Sequence, residues 1–509
     1  MYNIKPYRNT RQWYYRGSLK SCNYSCGYCP FSKNPQSSIK ELEKDKESLV
    51  QFVSALLDSE NGISRECAVQ IVPYGEALVH KYYWHQMARL SRSPFIEAVG
   101  AQTNLSFDVD TMIDTFLENN GIISKLKLWC TFHPSMVTID KFLSQCNKLS
   151  IYNISYCAGA TADPAQIGNI RILRHHLPKK IYLWVNKLDG LGRRYTSEEI
   201  AAFTDIDEYF SLELKHHKAD INRCTDSCFV EADGAARRCN ICSPSASRVC
   251  TRKTCNCYLS YCNQSLPEMV FFGKYPSFRI PVYPDVVFFD IDGTLITGNS
   301  KKITDKTVQM LKRLSMHSSV FLATSLPYNI AMQKVNKAKD IIQGGVFAYG
   351  GMCRIFARKY EKVFPLQTAK LGIIKENASK YGYSVHIYKK TRVNIIYKIT
   401  LSFNKHNNTD SYIKHVAFNI GLTDSFYNPL ENVNIIFEDG CIQIVDKMAG
   451  KKEGIRQICS EMGYLPDKTA VFGNSTSDIP MLKEYKFSVA INADRETAEA
   501  ATYNIQTLI

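Results

Sequence analysis

The sequence predicts an α/β protein in which two regions of strand–helix units follow one another along the chain. Between about residues 12 and 220, short β-rich runs alternate with helical patterns, which is typical of a parallel sheet or a partial barrel. After Pro267 and a linker rich in Pro and Tyr at about residues 275–284 the pattern restarts, and more than a hundred residues then separate Thr324 from Lys451. That insertion is far longer than a loop needs. We therefore expect two parallel α/β domains, the second of them doubly wound and carrying an α+β cap.

Length, composition and charge limit the classes of protein to which this chain can belong. The 509 residues leave room for two or three domains with large cores. No apolar run approaches the roughly 18 residues of a membrane helix, and the first residues show no signal-peptide pattern. We therefore expect a cytoplasmic protein without membrane contact, and the eighteen cysteines would stay reduced in that compartment. The net charge of +15 is spread along the chain, so it favours small anions such as phosphorylated substrates, and nucleic acid is not expected.

The N-terminal region contains six candidate strands. They are Trp13–Leu19, Ala68–Pro73, Ala98–Asn104, Leu126–Phe132, Tyr152–Cys157 and Ile181–Lys187. Helical patterns such as Ile39–Leu57 and Asp110–Leu117 separate them. Because active groups in barrels of this kind lie at the carboxyl ends of the strands, the residues that follow each strand are the candidate site residues.

Three cysteines follow the first strand at C-x3-C-x2-C spacing, namely Cys22, Cys26 and Cys29. Thiolates two or three residues apart allow one loop to wrap a single iron–sulfur cluster. The alternative is a structural zinc knuckle, which wants a fourth ligand at short range, and no cysteine follows Cys29 before Cys67. The pattern therefore favours a [4Fe-4S] cluster with one iron left open.

With Tyr28 before its last cysteine, this loop resembles the signature of the radical S-adenosylmethionine (SAM) enzymes. The resemblance implies a partial (β/α)6 barrel over residues 1–220, a [4Fe-4S] cluster on the three cysteines, and SAM bound at the open iron. It also implies an external electron donor of flavodoxin or ferredoxin type. The implied chemistry is reductive cleavage of SAM followed by abstraction of a substrate hydrogen.

Residues after the next strands extend this resemblance. Gly75 and Glu76 look like half of the family's Gly-Gly-Glu motif, whose backbone and carboxylate receive the amino group of SAM, and Tyr74 stands in place of the first glycine. Thr103 and Asn104 are similar to residues that contact the ribose or carboxylate of SAM.

Later strands offer less specific candidates. His133 follows the fourth strand and is either a group at the barrel mouth or a core histidine. The sixth strand carries Trp184, Asn186 and Lys187 as pocket residues without a defined role.

A cysteine-rich joint occupies residues 221–270. Its eight cysteines are Cys224, Cys228, Cys239, Cys242, Cys250, Cys255, Cys257 and Cys262. In a cytoplasmic protein this density indicates metal binding and not disulfides. The joint is similar to the opening of the SPASM and twitch extensions of radical SAM maturases, although the spacing after Cys242 departs from them. We expect at least one auxiliary iron–sulfur cluster, with zinc or free thiols as the alternatives.

The region 271–509 opens with a buried apolar run that ends in D-x-D-G-T, which contains Asp290 and Asp292. Two carboxylates at this spacing can take different roles in phosphoryl transfer. One attacks the phosphorus atom, the other transfers a proton, and Mg2+ shields their charges. The motif resembles the haloacid dehalogenase (HAD) superfamily, and its further motifs follow in order at Thr324, Lys451 and Asp478. The resemblance implies a Rossmann-like phosphatase domain. Thr324 and Lys451 would hold the phosphoryl group, and Asp290, Asp292 and Asp478 would serve the metal.

Two features of this resemblance leave alternatives open. Lys452 is a near rival of Lys451. Asn474 and Ser477 stand where the family more often has Asp and Asn, so weakened Mg2+ binding with retained activity and a degraded domain are both possible outcomes.

The insertion at about 345–445 resembles a cap of the Cof and sucrose-phosphatase type, which selects the substrate. Its candidate strands are Ser384–Tyr388, Val393–Phe403, Val433–Phe437 and Cys441–Val445. Its basic residues are Lys389, Lys390, Arg392, Lys398 and Lys405. We expect them to form a solvated strand face, with a specific anion site as the alternative.

Together these patterns predict a bifunctional enzyme. Radical SAM chemistry would be coupled to a Mg2+-dependent phosphatase acting on a small phosphorylated metabolite or sugar. The alternative is a peptide- or protein-modifying radical SAM maturase with an accessory or degraded HAD domain. A non-enzymatic iron–sulfur carrier is disfavoured because Glu76 and the pair Asp290 and Asp292 are equipped for catalysis.

Overall fold

The computed structural model describes residues 10–29, 36–58, 62–215, 217–218, 226–240, 253–255, 257, 262, 267–366, 371–380, 384–390, 395–402, 433–438 and 441–508. The chain divides into an N-terminal unit, Met1–Gln264 with Glu268–Val282, and a C-terminal unit, Ser265–Pro267 with Tyr283–Ile509. The boundary expected at residue 270 thus differs from the structural division after Val282. Across the described ranges, no helix is long and apolar enough to cross a membrane.

The N-terminal unit is built on one eight-stranded sheet and a small two-stranded one. The strands are β1 (Gln12–Gly17), β2 (Cys67–Ile71), β3 (Ile96–Thr103), β4 (Leu126–Phe132), β5 (Ser155–Thr161), β6 (Leu183–Asn186), β7 (His217–Lys218), β8 (Ser227–Glu231), β9 (Ala236–Arg237) and β10 (Thr254–Cys255). The large sheet has the order β6-β5-β4-β3-β2-β1-β8-β9, and β7 pairs with β10. Strands β1 to β6 pair in parallel with their neighbours in sequence. This confirms a parallel α/β sheet, whereas closure of the sheet towards a barrel stays a prediction.

Helices connect these parallel strands. They are α1 (Ile39–Leu57), α2 (Lys81–Ser91), α3 (Val109–Glu118), α4 (Ile139–Ile151), α5 (Ile167–His176), α6 (Ser197–Ile206) and α7 (Phe210–Leu214). The helix α1 begins where the sequence predicts because Ser38 and Glu41 form a capping box that satisfies two otherwise unpaired N–H groups. The fifth strand starts at Ser155, later than predicted, because Tyr152 caps α4 and Asn153 turns the chain at φ 55°.

The stretch expected to be an interdomain linker packs within the N-terminal unit. Phe278 lies against Ala68 and Ala98 at the beginnings of β2 and β3. The Tyr275 hydroxyl donates a hydrogen bond of 2.6 Å to Glu97. Aromatic residues in this stretch therefore fill the sheet face, so their composition reflects packing and not linker flexibility.

The C-terminal unit contains a second eight-stranded sheet. Its strands are β11 (Val286–Phe289), β12 (Ser319–Ala323), β13 (Ile342–Phe347), β14 (Met352–Ile355), β15 (Tyr360–Val363), and, after the cap strands, β20 (Thr469–Gly473), β21 (Phe487–Ile491) and β22 (Tyr503–Ile505). The order is β15-β14-β13-β12-β11-β20-β21-β22. All neighbours are parallel except β14 and β15, which form an antiparallel edge. The helices are α8 (Asp305–Leu314), α9 (Tyr328–Lys334), α10 (Leu371–Lys380), α11 (Lys451–Met462), α12 (Ile479–Glu484) and α13 (Arg495–Ala500).

The cap is a four-stranded antiparallel sheet. Its strands are β16 (Ser384–Lys390), β17 (Ile395–Ser402), β18 (Val433–Glu438) and β19 (Cys441–Asp446), in the order β16-β17-β19-β18. One face packs Ile399, Leu401, Ile442 and Ile444 against Ala378 of α10. Residues 345–363, expected in the cap, instead belong to the main sheet, so the cap sheet starts at Ser384.

Candidate functional sites

The C-terminal unit brings four predicted site residues together at one sheet edge. Asp290 follows β11, Thr324 follows β12, and Asp478 lies in the turn after β20. Lys451 opens α11. All four side chains are buried. Because β11, β12 and β20 are adjacent parallel strands, their carboxyl ends converge, as the motif order predicts.

Lys451 is the centre of this cluster. Its ammonium donates hydrogen bonds to Oδ1 of Asp290 at 2.8 Å and to Oδ1 of Asp478 at 2.6 Å. Lys452 instead pairs with Glu453 at 3.4 Å and is partly exposed. The structure therefore distinguishes the two lysines, and Lys451 is the one that faces the site.

The turn after β20 orients Asp478. Its Oδ2 accepts hydrogen bonds from the N–H groups of Asn474 at 3.0 Å and Ser475 at 3.1 Å. Asn474, a departure from the family pattern, has a local role: its Oδ1 accepts the Thr294 hydroxyl at 3.1 Å. Gly293 has φ +83°, and a Cβ there would lie 2.1 Å from the Asn474 amide. The two motif loops thus meet at Gly293, where only glycine fits.

Asp292 lies outside the buried cluster. Its side chain is half exposed, and its Oδ1 accepts a 2.6 Å hydrogen bond from Lys334 at the end of α9. An exposed carboxylate beside the cluster can exchange protons with water or a substrate oxygen. Lys334 was not among the predicted site residues, because no sequence motif marks it.

The donor chemistry of this cluster fits Mg2+. Carboxylate and amide oxygens are hard ligands of the kind Mg2+ prefers, and Asp290, Asp478 and Asn474 would hold it. Asp292, also expected to serve the metal, pairs with Lys334, so its part in metal binding stays a prediction. In the described arrangement the Lys451 ammonium compensates both carboxylates. Within the described ranges, no group of three or more His, Cys, Asp or Glu side chains is close enough to hold a metal ion.

The cysteine loop of the N-terminal unit follows β1. Cys26 is buried, whereas Cys22 and Cys29 are partly exposed. Burial raises the pKa of Cys26 to about 11, and the neighbouring Cys29 and Cys22 add to the rise. The three thiols are therefore neighbours and suit a cluster in type and spacing, although they are not gathered around one point.

Asp45 of α1 fixes the start of this loop, and sequence reasoning missed it. Its Oδ1 accepts the N–H groups of Ser18 at 2.9 Å and Leu19 at 3.0 Å. Its Oδ2 accepts the hydroxyls of Tyr82 at 2.9 Å and Tyr83 at 2.6 Å. The available signal was a carboxylate on the apolar face of an amphipathic helix, a position that needs polar partners.

Glu76, Thr103 and Asn104 meet at the carboxyl ends of β2 and β3. The Glu76 carboxylate accepts the Thr103 hydroxyl at 2.8 Å and the Asn104 N–H at 2.6 Å. Burial raises the pKa of Glu76 to about 7. The Asn104 amide points to Cys22 Sγ at 3.7 Å. The predicted SAM residues thus lie beside the cysteine loop. The Glu76 carboxylate also joins the end of β2 to the end of β3 through its hydrogen bonds with Thr103 and Asn104.

Gly75 allows a close approach of the backbone. A Cβ at this position would lie 2.0 Å from the carbonyl oxygen of Ser21. The neighbouring Glu76 N–H donates to the same carbonyl at 3.1 Å. Glycine is required here by the packing of the cysteine loop against the end of β2.

His133 contacts the cysteine loop directly. Its Nδ1 lies 2.6 Å from the Tyr28 hydroxyl and 3.4 Å from Cys26 Sγ. Burial lowers the pKa of His133 to about 4. The histidine expected either at a pocket mouth or in the core therefore joins the end of β4 to the loop.

The region around Trp184 is filled by the chain itself. The Arg279 guanidinium stacks 4.0 Å from the Trp129 ring and 4.3 Å from the Trp184 ring. Glu213 lies 3.5 Å from Arg279. The Trp184 ring thus packs against the Arg279 guanidinium. The structure does not support the expected position of Trp184 in a substrate pocket.

The described cysteines of the joint do not form one group. Cys228 lies on β8 in the main hydrophobic core, on the face that packs against the helices. Cys257 packs with Tyr14 and Phe229 on the opposite face. Because Cys228 and Cys257 lie on opposite sides of one sheet, we expect that they do not share a metal ion, and metal binding by Cys228 stays a prediction.

The remaining joint cysteines are dispersed. Cys255 accepts the N–H of Cys257 at 3.4 Å, and Cys239 is partly buried after β9. Burial raises the pKa of Cys262 to about 11 although Arg279 lies beside it. Cys224, Cys242 and Cys250 lie outside the described residues, so an auxiliary cluster stays a prediction.

Comparisons with known proteins concern the C-terminal unit. The family model of haloacid dehalogenase-like hydrolases matches residues 287–437 and 368–507. The C-terminal part of the chain is therefore a haloacid dehalogenase-like hydrolase domain. The family match does not extend to the N-terminal unit.

Solved structures are similar to less than half of the chain. The HAD subclass IIB sugar phosphatase BT4131 is 18% identical, with 43% of this chain and 92% of that chain covered and a TM-score of 0.36. A haloacid dehalogenase-like hydrolase from Bacteroides thetaiotaomicron is 16% identical, with 44% and 94% covered and a TM-score of 0.37. A search of curated proteins found no match.

Proposed function

We propose that the protein is a bifunctional enzyme that joins a Mg2+-dependent phosphatase to a radical SAM domain. The phosphatase acts on a small phosphorylated metabolite or sugar. The observation that carries it is the buried cluster in which Lys451 contacts Asp290 and Asp478 beside Thr324. These residues supply the parts that phosphoryl transfer needs: a nucleophile, a cation and a hydroxyl donor.

Each side chain has a distinct task in this reaction. Asp290 attacks phosphorus and forms an aspartyl-phosphate, while Asp292 protonates the departing oxygen and later deprotonates the hydrolytic water. Thr324 and Lys451 donate to the phosphoryl oxygens, whose charge is redistributed during transfer. Asp290, Asp478 and Asn474 would hold Mg2+, which would supply the charge neutralisation that an anionic nucleophile needs to approach an anionic ester.

The test is hydrolysis of a panel of phosphomonoesters at high Mg2+. We expect wild-type activity, loss of turnover in Asp290→Asn, and near wild-type turnover in the matched control Lys452→Gln. Formation of a beryllofluoride adduct at Asp290 is an independent readout. A wild-type protein that hydrolyses no ester and forms no adduct would contradict the phosphatase.

The support for the radical SAM half is the placement of its candidate residues. The cysteine loop follows β1, and Glu76, Thr103 and Asn104 adjoin it at the ends of the next two strands. A [4Fe-4S] cluster on Cys22, Cys26 and Cys29 would supply the electron that cleaves SAM. The reducing equivalent would come from a flavodoxin- or ferredoxin-type donor.

The test of this half is 5′-deoxyadenosine formation by anaerobically reconstituted protein with SAM and dithionite. We expect replacement of all three loop cysteines by Ala to abolish the product. An equal yield from the triple variant would exclude the assignment. The alternative is a peptide- or protein-modifying maturase with a degraded HAD domain, and the intact Asp290, Lys451 and Asp478 cluster argues against it.

A further inference from the structure

One basic residue of the cap reaches the catalytic loop of the C-terminal unit. Lys398 lies in the middle of β17, and its side chain is buried. Its ammonium donates a hydrogen bond to the carbonyl oxygen of Ser325. Ser325 directly follows Thr324, whose hydroxyl belongs to the proposed phosphoryl site. Lys398 therefore does not belong to a solvated strand face.

The position of Lys398 is fixed by close packing of β17 on the main sheet. The Leu366 N–H donates to the Ile396 carbonyl at 2.8 Å. A Cβ at Gly351 would lie 2.6 Å from the Tyr397 carbonyl oxygen. Because the two residues that precede Lys398 in β17 are packed closely in this way, the Lys398 ammonium is held near the catalytic loop.

The cap face around Lys398 is polar. Ile399 and Leu401 point to the hydrophobic face against α10, so Lys398 and Thr400 point to the other face. On that face Tyr388 pairs with Lys398 across the strands, and its ring centre is 5.9 Å from the ammonium. Gln443 is the strand partner of Thr400 and is also buried. Lys398 and Gln443 are thus buried polar residues on one face of the cap sheet, and a few such polar groups in a pocket are what orients a polar ligand.

We propose that Lys398 is a specificity-determining residue that binds a second acidic group on the leaving portion of the substrate. The preferred substrates are then phosphate monoesters that also carry a carboxylate or a second phosphate. This inference rests on the proposed phosphatase function. Lys451 already serves the transferred phosphoryl group, whereas Lys398 approaches from the cap, on the side of the rest of the ester.

The charge pattern of the cap supports this role. The Lys390 ammonium forms an ion pair with the Glu361 carboxylate at 2.5 Å, and the Lys389 side chain is exposed. Arg392 and Lys405 lie outside the described residues. A buried ammonium interacts with an anion more strongly than an exposed one because the surrounding dielectric is low. Lys398 is thus the described cap lysine best placed to select an acidic substrate.

The experiment compares two matched ester pairs, 3-phosphoglycerate with glycerol 3-phosphate and 6-phosphogluconate with sorbitol 6-phosphate. Each pair differs by one carboxylate. We expect wild-type kcat/KM to favour the acidic member of at least one pair by about tenfold, the value of one charge-assisted hydrogen bond. Lys398→Met keeps the aliphatic stem and should bring this ratio close to one, while Lys398→Arg should retain part of it.

Lys389→Met is the control, because it removes an exposed charge from the same hairpin, and it should keep the wild-type ratio. A wild-type enzyme without preference in either pair, or a Lys398→Met enzyme that keeps the preference, would overturn the inference. If Lys398→Met does not fold, Lys398→Gln replaces it, and the kcat/KM ratio of that variant is compared with the wild-type ratio in the same way.

Calorimetric binding to Asp290→Asn separates this inference from the proposed function. Tighter binding of the acidic ester that is lost when Lys398→Met is added supports the subsite, even if no ester is hydrolysed by the wild type. Hydrolysis without any acidic preference in kcat/KM or in binding leaves the phosphatase standing and removes the subsite.

Discussion

The Lys451 ammonium lies 2.8 Å from the carboxylate of Asp290 inside a buried site. The same ammonium reaches Asp478 at 2.6 Å, so one cation compensates two buried carboxylates. A buried charge is costly unless it is paired. Stability of this region and its capacity to bind a phosphoryl group therefore depend on the same side chain.

Replacing Lys451 by Met should destabilise the C-terminal unit by about 3–5 kcal/mol, because it leaves two adjacent carboxylates uncompensated. Mg2+ should recover part of that loss by binding the folded state. Urea unfolding followed by circular dichroism, with and without Mg2+, measures both effects. Lys452→Met is the control, since its partly exposed pair with Glu453 should change stability by less than about 0.5 kcal/mol. Equal stability of the two variants would contradict the role assigned to Lys451.

Asn474→Asp should lower the Mg2+ concentration needed for half-maximal phosphatase rate. The substitution adds a negative charge beside the metal ligands and can still accept the Thr294 hydroxyl. Asn474→Ala removes both the amide oxygen and that contact, so it should raise the Mg2+ requirement. Mg2+ titrations of the three proteins decide the matter. A requirement unchanged in both variants would place Asn474 outside the metal site.

Asp45→Ala should loosen the cysteine loop and destabilise the N-terminal unit by about 3 kcal/mol, because buried donors lose their acceptor. The four tryptophans, Trp13, Trp84, Trp129 and Trp184, are all buried in this unit, so their fluorescence reports its unfolding alone. Iron bound after reconstitution should fall in parallel. Glu47→Ala, an exposed change on the same helix, is the control. Wild-type iron content and stability in Asp45→Ala would refute the anchoring role.

The candidate catalytic residues of the C-terminal unit could be predicted from sequence because each stands in a short motif at the end of a strand or the start of a helix. The resemblance to the HAD motifs identified Asp290, Thr324 and Lys451, and the rule that parallel strands converge at their carboxyl ends predicted that Asp290 and Thr324 lie close together. Lys334 and Lys398 could not be found in this way. Their positions depend on how α9 and the cap sheet pack, and no local pattern records that.

The N-terminal unit shows a different limit. The alternation of strands and helices predicted the parallel sheet and the exact bounds of α1. The composition of residues 275–284 suggested a linker, yet Phe278 packs against the sheet and Arg279 stacks on Trp129 inside the N-terminal unit. Cysteine spacing likewise could not reveal that Cys228 belongs to the core. Alternate side chains of a strand point to opposite faces of the sheet, and the Cys228 side chain in β8 points to the face covered by helices.

The N-terminal unit should lose stability as the pH rises from about 4 towards 7. Asp207 accepts the Tyr182 hydroxyl at 2.5 Å and the Val185 N–H at 2.8 Å. Burial raises its pKa from 3.8 to about 7. The folded state therefore binds this proton more tightly than the unfolded state, and the contribution is complete below pH 4 and lost as pH rises through 7. The predicted loss is on the order of 4 kcal/mol at most.

Asp207→Asn removes this titration, so its unfolding free energy should vary less over the same pH range. Tryptophan fluorescence in urea at pH 4, 5.5 and 7 provides the measurement. The exposed Asp205→Asn is the control and should keep the wild-type slope. Identical slopes for wild type and Asp207→Asn would exclude Asp207 as the source.

Cys228 and Cys257 of the joint should differ in metal binding because they lie on opposite faces of the sheet. In a background where Cys22, Cys26 and Cys29 are replaced by Ala, an auxiliary cluster should retain about four iron atoms. Adding Cys228→Ala should leave that iron in place, because Cys228 lies in the core on the helix-facing side of β8.

Adding Cys257→Ser should reduce the iron, because Cys257 lies on the opposite face, with Cys255 Sγ 3.4 Å from its N–H. Iron and zinc analysis together with Mössbauer spectra distinguishes a cluster from a zinc knuckle. Loss of iron in Cys228→Ala with retention in Cys257→Ser would reverse the assignment of the two faces. Zinc alone in the triple-Ala background would show that the joint is a structural site, since zinc requires only a closed set of four ligands.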